Sequence, residues 1–390
     1  MLKKFTVGNF LSFHHHQTFT MSSASTQRTI QTPHGTVNQF SAIFGENKEN
    51  LFKAIEYAKT ICISGTGNAL SILYSPAHPS NKETPSSFDF EICVGENIYS
   101  IGFEIDTTRN EIVEQWLIDI AKGKKEILYY INTITGNYTY KEDLFSEEEF
   151  LSIVKTKETH FLIISDTSNV IISPDNNVTR DSIFSSIVHW FSSLTIINDV
   201  SSLINTAISV LPLSYNLYEI ANVFEGKITR LSDDKRKHLQ ETTKDEISDN
   251  LITVYDNSLC FRIKTLDKTI WYEAILEEKN NEYLHILAVL LTKNEYSSSL
   301  IHDINTYLSP TLTKSLVNML FLIAELKNIQ CMITTEETSL LDTNFLKKNE
   351  IWFVTSGEFL ASRLISYDCF FFDKDKDIAS AYRNGEFKSI

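Results

Sequence analysis

The sequence is poor in cysteine, proline and glycine. Its 390 residues include 5 cysteines, 7 prolines and 12 glycines. The cysteines are widely separated and form no Cys-x-x-Cys pair, which excludes a disulfide scaffold and a cysteine-based metal site and indicates a reducing compartment. No apolar run reaches the roughly 18 residues of a membrane span, and the opening residues lack the apolar stretch of about 7–15 residues that marks a secretory signal. We therefore expect a cytoplasmic protein with no membrane partner.

Basic residues are scarce relative to acidic ones. The chain has 35 lysines and arginines against 50 aspartates and glutamates, a formal net charge of −15. This excess argues against a general polyanion-binding role, because phosphate groups are repelled outside any local basic patch. Hydrophobic residues make up 42% of the chain, which suits a folded globular protein rather than a disordered one. At roughly 150 residues per domain, the length allows two or three domains.

The first third of the chain predicts a strand, a tight turn and a helix, followed by β-hairpins. Phe40–Phe44 is a short apolar run that ends at Gly45, and residues 50–63 carry apolar side chains at helical spacing. Two runs of alternating apolar and polar residues, 88–94 and 98–105, predict an antiparallel hairpin.

The remaining chain divides by pattern into two further segments. Residues 147–249 are predicted to be mostly helical, whereas residues 250–390 alternate short apolar strands with helices, of which 311–326 is the clearest. Such alternation favours an α/β core with a largely parallel sheet. With residues 1–146 as the first segment, the chain is predicted to have three parts: an N-terminal lobe, a helical insertion and a C-terminal lobe.

The turn after Gly45 lies where a phosphate-binding loop would lie. Such a loop needs a second glycine and a Lys-Ser/Thr pair, so that backbone N–H groups and the helix N-terminus can surround phosphates. This turn has neither, and it places Glu46 and Glu49 where anionic oxygens would approach. Each like-charge contact at ~4 Å costs about 4 kcal/mol at an effective dielectric constant near 20. An ordinary strand-to-helix turn and a retained weak nucleotide site are the two interpretations.

At the N-terminal end, the sequence resembles a known family. Met1–Phe13 is similar to the opening strand of bacterial AAA/ABC-type ATPases of the RloA-like kind, which are relatives of RecF, SMC and OLD proteins. The flanks of that family's phosphate loop are matched by Gly45–Asn47 and by Asn50–Ile55. The glycine- and lysine-rich centre of the loop is replaced by two residues, Lys48 and Glu49.

The resemblance continues near the C-terminus. Leu300–Pro310 is similar to the Walker B strand and the loop after it, with His302 in place of the aspartate that supports Mg²⁺ and Asp303 in place of the catalytic glutamate. Residues 333–342 are similar to the switch region, with Glu336 where the family has histidine. The signature loop would fall at residues 277–281, which contain no glycine.

This resemblance implies an α/β, ABC/SMC-head-like ATPase fold: a mixed sheet with an antiparallel N-terminal lobe and a helical insertion. It also implies a nucleotide site whose motifs are degenerate, with no catalytic residue retained. Its vestigial positions would be Asp303 and His302 (Walker B), Glu336 (switch) and Gly45, Asn47, Lys48 and Asn50 (phosphate loop). No cofactor is expected, although weak binding of ATP and Mg²⁺ is an open alternative.

The function expected from the resemblance is that of a pseudo-ATPase, a structural or regulatory subunit in a bacterial defence or DNA-maintenance system. Its partner would be a nuclease, an active ATPase subunit or a second copy of the chain, with nucleic acid reached through the complex. The alternative is a divergent ATPase that is active only in a composite site with a partner subunit, with Lys48 and Asp303 as its working residues.

Three expectations come from the residue patterns themselves. Lys48 is predicted to be a solvated lysine at the start of a helix, with a residual phosphate contact as the alternative. His302 and Asp303 are predicted to point to opposite faces of their strand, since neighbouring strand residues alternate. The histidines at positions 14–16 are predicted to form a solvated turn rather than a metal site.

Overall fold

The computed structural model describes most of the chain. The described residues are 1–23, 27–68, 83–120, 124–156, 160, 162–165, 180–197, 206–209, 228–242, 251–255, 258–264, 269–275, 286, 290, 293, 295–306, 308–357, 361–370 and 377–388. The strands are β1 (Leu2–Gly8), β2 (Gln17–Thr20), β3 (Ser22–Ser23), β4 (Thr29–Thr32), β5 (Gly35–Asn38), β6 (Phe40–Gly45), β7 (Ser86–Val94), β8 (Asn97–Asp106), β9 (Glu111–Asp119), β10 (Glu126–Asn132), β11 (Asn137–Tyr140), β12 (Thr195–Ile197), β13 (Thr206–Ser209), β14 (Ile228–Arg230), β15 (Leu251–Tyr255), β16 (Ser258–Lys264), β17 (Thr269–Ile275), β18 (Ser298–Ile301), β19 (Gln330–Thr334), β20 (Ile351–Ser356) and β21 (Ser362–Ser366). The helices are α1 (Glu49–Ser64), α2 (Glu147–Thr156), α3 (Arg180–Ser193), α4 (Asp233–Thr242), α5 (Pro310–Lys327) and α6 (Ile378–Arg383).

An antiparallel sheet of seven strands forms the first layer, in the order β11-β10-β9-β8-β7-β1-β2. Its strands alternate apolar and polar residues, and this period of two buries one side of the sheet. Phe88 and Phe90 of β7 and Phe103 of β8 are fully buried on that side. Helix α3 packs there as well, with the ring of Phe191 5.1 Å from that of Phe90. The hairpin predicted from residues 88–105 is therefore confirmed as β7–β8.

A six-stranded mixed sheet forms the second layer, in the order β12-β18-β19-β6-β20-β21. All neighbouring pairs are parallel except β20–β21. The central strands β18, β19, β6 and β20 are buried at nearly every position, because both faces of the sheet are covered. On β6, for example, Ile43 joins the apolar core shared with the seven-stranded sheet, whereas Ala42 and Phe44 join the core on the side of α5. The mixed α/β architecture expected from the sequence is confirmed.

Two smaller antiparallel sheets complete the described architecture, β13-β15-β16-β17-β14 and β3-β5-β4. The first sheet adds strands to the segment predicted to be mostly helical, because β13 and β14 flank the hairpin strands β15–β17. The apolar pattern of residues 282–292 predicts a helix, and of these residues only Ile286 and Leu290 are described, both of them helical. The predicted signature-loop position, residues 277–281, lies outside the described residues. None of the helices in the described ranges has the length and hydropathy needed to cross a membrane.

Buried polar side chains connect the N-terminal and C-terminal parts of the chain. Gln330 on β19 accepts a hydrogen bond from the backbone N–H of Leu2 (2.7 Å) and donates to the carbonyl of the same residue (2.9 Å). Arg28 donates from Nε to the carboxylate of Glu350 (2.7 Å), which is 1% exposed, and its guanidinium lies 4.2 Å from the ring centroid of Phe321. A buried carboxylate is tolerated here because it is both paired and hydrogen-bonded.

We predict that Gly45→Ala destabilises the protein far more than Gly35→Ala. Both glycines have a positive φ near 115° (112° and 114°), but an added Cβ at Gly45 would lie 2.0 Å from the carbonyl oxygen of Val354, whereas nothing lies within 4 Å at Gly35. The strained backbone alone should lower the free energy of unfolding by about 1 kcal/mol in either variant. Overpacking against β20 should raise this loss to about 3 kcal/mol or more in Gly45→Ala. Urea denaturation of the two variants measures the difference. Equal losses would show that β20 does not require the glycine.

Candidate functional site

Three loops meet at one edge of the six-stranded sheet. Strands β18, β19 and β6 are consecutive neighbours and run parallel, so their carboxyl ends lie at the same edge. The carboxyl end of such strands is where binding sites of α/β proteins usually form. The loops that follow them carry Asp303, Glu336 and Lys48, which are 33 to 288 positions apart in the sequence (336 − 303 and 336 − 48).

The turn between β6 and α1 is short and tightly folded. Gly45 has a φ of +112° and Asn47 a φ of +56°, and Lys48 already has helical backbone angles. The N–H groups of Asn50 and Leu51 donate back to the carbonyls of Asn47 (3.0 Å) and Lys48 (3.3 Å). These two donors near the helix N-terminus are therefore engaged within the turn. A phosphate-binding loop instead directs such N–H groups towards its anion.

Lys48 is the centre of the site. Its Nζ atom lies 3.2 Å from Oδ1 of Asp303 and 3.1 Å from Oε1 of Glu336. The lysine side chain is 5% exposed, whereas the carboxylates are 37% and 75% exposed. Burial alone would lower the pKa of Lys48, but the hydrogen bonds and charges of Glu336 and Asp303 outweigh it and raise the pKa. The prediction of a solvated helix-start lysine is wrong, because the turn directs this side chain into the gap between two neighbouring loops.

Asp303, which contacts Lys48, has a left-handed backbone conformation. Strand β18 ends at Ile301, and Asp303 has a φ of +40°. Its N–H group donates to Oγ1 of Thr334 (2.8 Å), which fixes the loop against β19. Nδ1 of His302 lies 3.4 Å from Oδ2 of Asp303. The expectation that these two side chains point apart is wrong, because residue alternation ends where the strand ends.

A polar network that the sequence analysis did not identify holds the Glu336 loop. Oδ1 of Asn305 accepts hydrogen bonds from Oγ1 of Thr335 (2.9 Å) and from the N–H group of Glu336 (3.2 Å). Thr334 and Thr335 are fully buried. The sequence offers one sign of this network, which is the pair of adjacent threonines at the end of an apolar strand. Only the structure shows that Asn305 lies next to them and connects the two loops by hydrogen bonds.

The other predicted phosphate-loop positions contact different parts of the protein. Nδ2 of Asn50 donates to Oγ of Ser12 (2.8 Å), away from Lys48. The carboxylate of Glu46 accepts a hydrogen bond from Oγ of Ser356 (3.1 Å), the last residue of β20. Gly45 is packed against the backbone of β20. The structure thus brings Lys48, Asp303 and Glu336 together, with His302 beside Asp303, and directs the side chain of Asn50 elsewhere.

These residues do not fit a magnesium-bound triphosphate. Lys48, which would have to contact phosphate oxygens, already contacts two carboxylates. Glu46 and Glu49 of the same turn add two further carboxylates, of which Glu46 accepts a hydrogen bond from Ser356 and Glu49 lies 3.8 Å from Nζ of Lys53. A polyanion at this edge would meet more repulsion than attraction.

Comparison with known proteins gives only distant structural similarity. No family model and no curated protein matches the sequence. The chain is similar to the SMC head domain from Thermotoga maritima, with 12% identity, coverage of 94% of this chain and 98% of that chain, and a TM-score of 0.38. It is also similar to the Smc head domain of Pyrococcus furiosus with an extended coiled coil, bound to the C-terminal domain of ScpA, with 12% identity, coverage of 99% and 98%, and a TM-score of 0.39. At this similarity, neither structure assigns an activity, ligand or partner to the chain.

We predict that Lys48→Met lowers the free energy of unfolding by about 1–3 kcal/mol, because it leaves two carboxylates adjacent without their shared cation. Lys53→Met is the matched control on the same helix. Lys53 is 55% exposed, and the ion pair that it forms within the described part of the chain is with Glu49 at 3.8 Å, so Lys53→Met should lower the free energy of unfolding by less than about 0.5 kcal/mol. Chemical denaturation near neutral pH measures both variants. A change in Lys48→Met no larger than in Lys53→Met would contradict a stabilising role for the ion pairs.

The raised pKa of Lys48 also predicts how this stabilisation depends on pH. A lysine whose pKa is higher in the folded than in the unfolded protein stabilises the fold fully below the unfolded value of about 10.4. The contribution is lost as pH rises through the folded value. The stability difference between the natural protein and Lys48→Met should therefore be constant between about pH 7 and pH 10 and shrink above pH 10. Carboxylates are ionised in both proteins throughout this range, so the difference isolates Lys48, and a difference that grows above pH 10 would contradict the assignment.

Proposed function

We propose that this protein is a catalytically inactive relative of ABC-type ATPases that acts as a structural or regulatory subunit. The observation that supports it is the pairing of Lys48 with both Asp303 and Glu336. The lysine, the Walker B position and the switch position of the family resemblance thus contact one another directly. An internal ion pair takes the place that the resemblance gives to a bound nucleotide.

Electrostatics supports inactivity of the isolated chain. A phosphate group could reach Lys48 only by separating it from a carboxylate, and that carboxylate would then lie next to the phosphate. At ~4 Å and an effective dielectric constant near 20, such a like-charge contact costs about 4 kcal/mol. Hydrolysis further requires a metal ion and a positioned base that act on the transferred phosphoryl group. Asp303 is the candidate base that the resemblance implies, and its Oδ1 atom is already engaged by Lys48 (3.2 Å) and by Oγ1 of Thr334 (3.4 Å).

The role of such a subunit would be to bind other proteins. The family resemblance places it in a bacterial defence or DNA-maintenance system, with a nuclease or an active ATPase as partner, or with a second copy of the chain. ATPase heads of this kind pair through nucleotide, so a pair formed without nucleotide must rely on direct protein contacts. A stable interface of that type buries about 1,200 Å² or more.

The alternative function is that of a composite ATPase, and one feature favours it. Lys48 and Asp303 lie 3.2 Å apart at the carboxyl edge of the sheet, so a lysine and a carboxylate suited to phosphoryl transfer are close to each other. A partner that supplied a phosphate loop and drew Glu336 away from Lys48 would leave these two groups available. This alternative requires nucleotide binding that depends on Lys48.

Calorimetry with ATP and MgCl₂ distinguishes the two functions. For the pseudo-ATPase we expect no saturable heat up to about 1 mM ATP, which corresponds to binding weaker than about −4 kcal/mol. The result should be the same for the natural chain, Lys48→Met and the control Lys53→Met. Saturable binding tighter than about 100 μM (about −5.5 kcal/mol) that is lost only in Lys48→Met would overturn the proposal and support the composite ATPase.

The subunit role has its own test. Co-expression with the products of neighbouring genes, followed by mass measurement of the purified complex by light scattering, should give a stable hetero- or homo-oligomer. A monomer under all of these conditions would contradict the subunit role even if ATP does not bind.

A further inference from the structure

The outer side of the seven-stranded sheet carries a cluster of polar and aromatic side chains, on a different sheet from the strands β6, β18 and β19 that precede the loops around Lys48. Antiparallel pairing places Asp89, Gly102, Trp116 and Tyr130 in one row across β7, β8, β9 and β10. Helix α3 packs on the opposite, apolar side of this sheet, where its Phe191 meets Phe90. The outer residues Asp89, Trp116 and Tyr130 are partly exposed.

Trp116 forms a flat platform at the centre of this outer face. A Cβ added to Gly102 would lie 2.3 Å from Cζ2 of Trp116, so the indole ring lies directly across the glycine. Nε1 of Trp116 donates to Oδ1 of Asp89 (3.1 Å), which also accepts from Oγ of Ser100 (2.8 Å). The ring is therefore fixed in orientation by a hydrogen bond at its edge.

Trp116 differs from the other three tryptophans of the sequence. Trp190, Trp271 and Trp352 are 6%, 3% and 4% exposed, whereas Trp116 is only partly buried. An indole that is rigidly held and still accessible offers a large apolar contact area at little entropic cost. Such side chains are enriched among the residues that dominate binding energy at interfaces.

Two glutamates lie beside this platform as direct cross-strand neighbours. Glu104 of β8 is paired in register with Glu114 of β9, and both are partly exposed. Glu114 accepts a hydrogen bond from Nδ2 of Asn132 (2.6 Å), and no lysine or arginine of the described residues forms an ion pair with either glutamate. Nearby Glu91 is paired with Lys4 at 2.9 Å. With Asp89, the face therefore has four carboxylates and one lysine.

The pairing of Glu104 with Glu114 is unfavourable within the chain. Like charges directly opposite each other on neighbouring strands destabilise a sheet. Burial, and then the charge of Glu114, raise the pKa of Glu104. A cation placed between the two carboxylates would remove the repulsion and gain two charge-assisted contacts. The geometry thus combines an aromatic platform with an unneutralised carboxylate pair.

We propose that this outer face binds a basic segment of a partner protein, with an arginine that stacks on Trp116 and pairs with Glu104 and Glu114. A guanidinium is planar, stacks on aromatic rings and pairs with a carboxylate through two parallel N–H donors, a geometry that an ammonium group does not offer. Nucleic acid is disfavoured because its phosphates would meet the carboxylates. A second copy of this chain is a poor occupant because each copy carries a net charge of −15.

The dimensions of the face suit a short segment. Adjacent strands are about 4.8 Å apart, so the row from β7 to β10 spans roughly 14 Å, and five residues of β8 span about as much. This area is well below the roughly 800 Å² per partner of a standard interface. We therefore expect modest affinity that falls as ionic strength rises, since exposed charge pairs are screened by salt.

A peptide titration followed by tryptophan fluorescence tests the proposal. The probe is an acetylated and amidated peptide of four arginines separated by glycines, and its control has citrulline in place of arginine. The full-length chain should bind the arginine peptide with a change in emission, and citrulline should weaken binding at least tenfold. Glu104→Gln with Glu114→Gln should also weaken binding at least tenfold. Asp234→Asn with Glu241→Gln, an equal charge change on the exposed side of α4, should alter it less than twofold.

Two further measurements make the outcome decisive. Glu104→Gln alone should raise the thermal unfolding midpoint, because it removes the cross-strand repulsion without removing a hydrogen bond. Trp116→Phe should weaken peptide binding severalfold while the protein remains folded by circular dichroism. Equal peptide affinity in the natural chain and the Glu104/Glu114 variant would overturn the proposal. A lowered midpoint in Glu104→Gln, or tighter binding of a single-stranded oligonucleotide than of the arginine peptide, would also overturn it.

Discussion

A buried lysine that must be neutralised organises the carboxyl edge of the six-stranded sheet. Lys48 is almost fully enclosed, and an enclosed ammonium group is stable only when carboxylates replace its lost water. Asp303 and Glu336 can do so because β18, β19 and β6 are adjacent and parallel, so that their following loops converge. The ion pairs therefore depend on the order of the strands, and they in turn hold three loops from distant parts of the sequence together.

The strands and helices around the site follow closely from local sequence patterns. Four of the five residues of Phe40–Phe44 are apolar because both faces of the central sheet are covered. The apolar spacing of residues 311–326 marks helix α5 to within a residue at each end. Residues 330–334 are one of the short strands that the alternating pattern of the C-terminal segment predicts, and they coincide with β19. The strands β13 and β14 were not predicted, because three- and four-residue strands leave too few positions to establish an alternating pattern.

The contacts of the site could be predicted much less well, for a physical reason. A lysine at the start of a helix is usually solvated, and only the position of neighbouring loops decides whether it is buried. His302 and Asp303 show the same limit, because the alternation that would separate their side chains ends with β18 at Ile301. The family resemblance selected Lys48, Asp303 and Glu336 as related positions, but it did not indicate that they would contact one another directly.

Gly45 shows that a residue can match a family motif in the sequence and still have a different role in the structure. In the sequence it looks like the first glycine of a phosphate loop. In the structure, the backbone of β20 leaves no room for a Cβ, and the positive φ adds a second requirement for glycine. Packing alone therefore accounts for this residue, and its presence adds no weight to nucleotide binding. Lys48 is more informative than Gly45, because packing does not require a positive charge at position 48. The charge is explained by the ion pairs of Lys48 with Asp303 and Glu336.

The two polar regions of the molecule differ in whether their charges are satisfied. At the sheet edge, Lys48 shares its charge between two carboxylates, so a ligand must first break contacts that already exist. On the outer face of the seven-stranded sheet, Glu104 and Glu114 repel each other, so a cationic ligand gains contacts without breaking an ion pair. Binding of a charged ligand is more favourable where it relieves repulsion in the unbound protein than where it must break an existing ion pair. By this criterion the resemblance to ATPases directs attention to the less receptive region, and the face around Trp116 is the stronger candidate for an interaction surface.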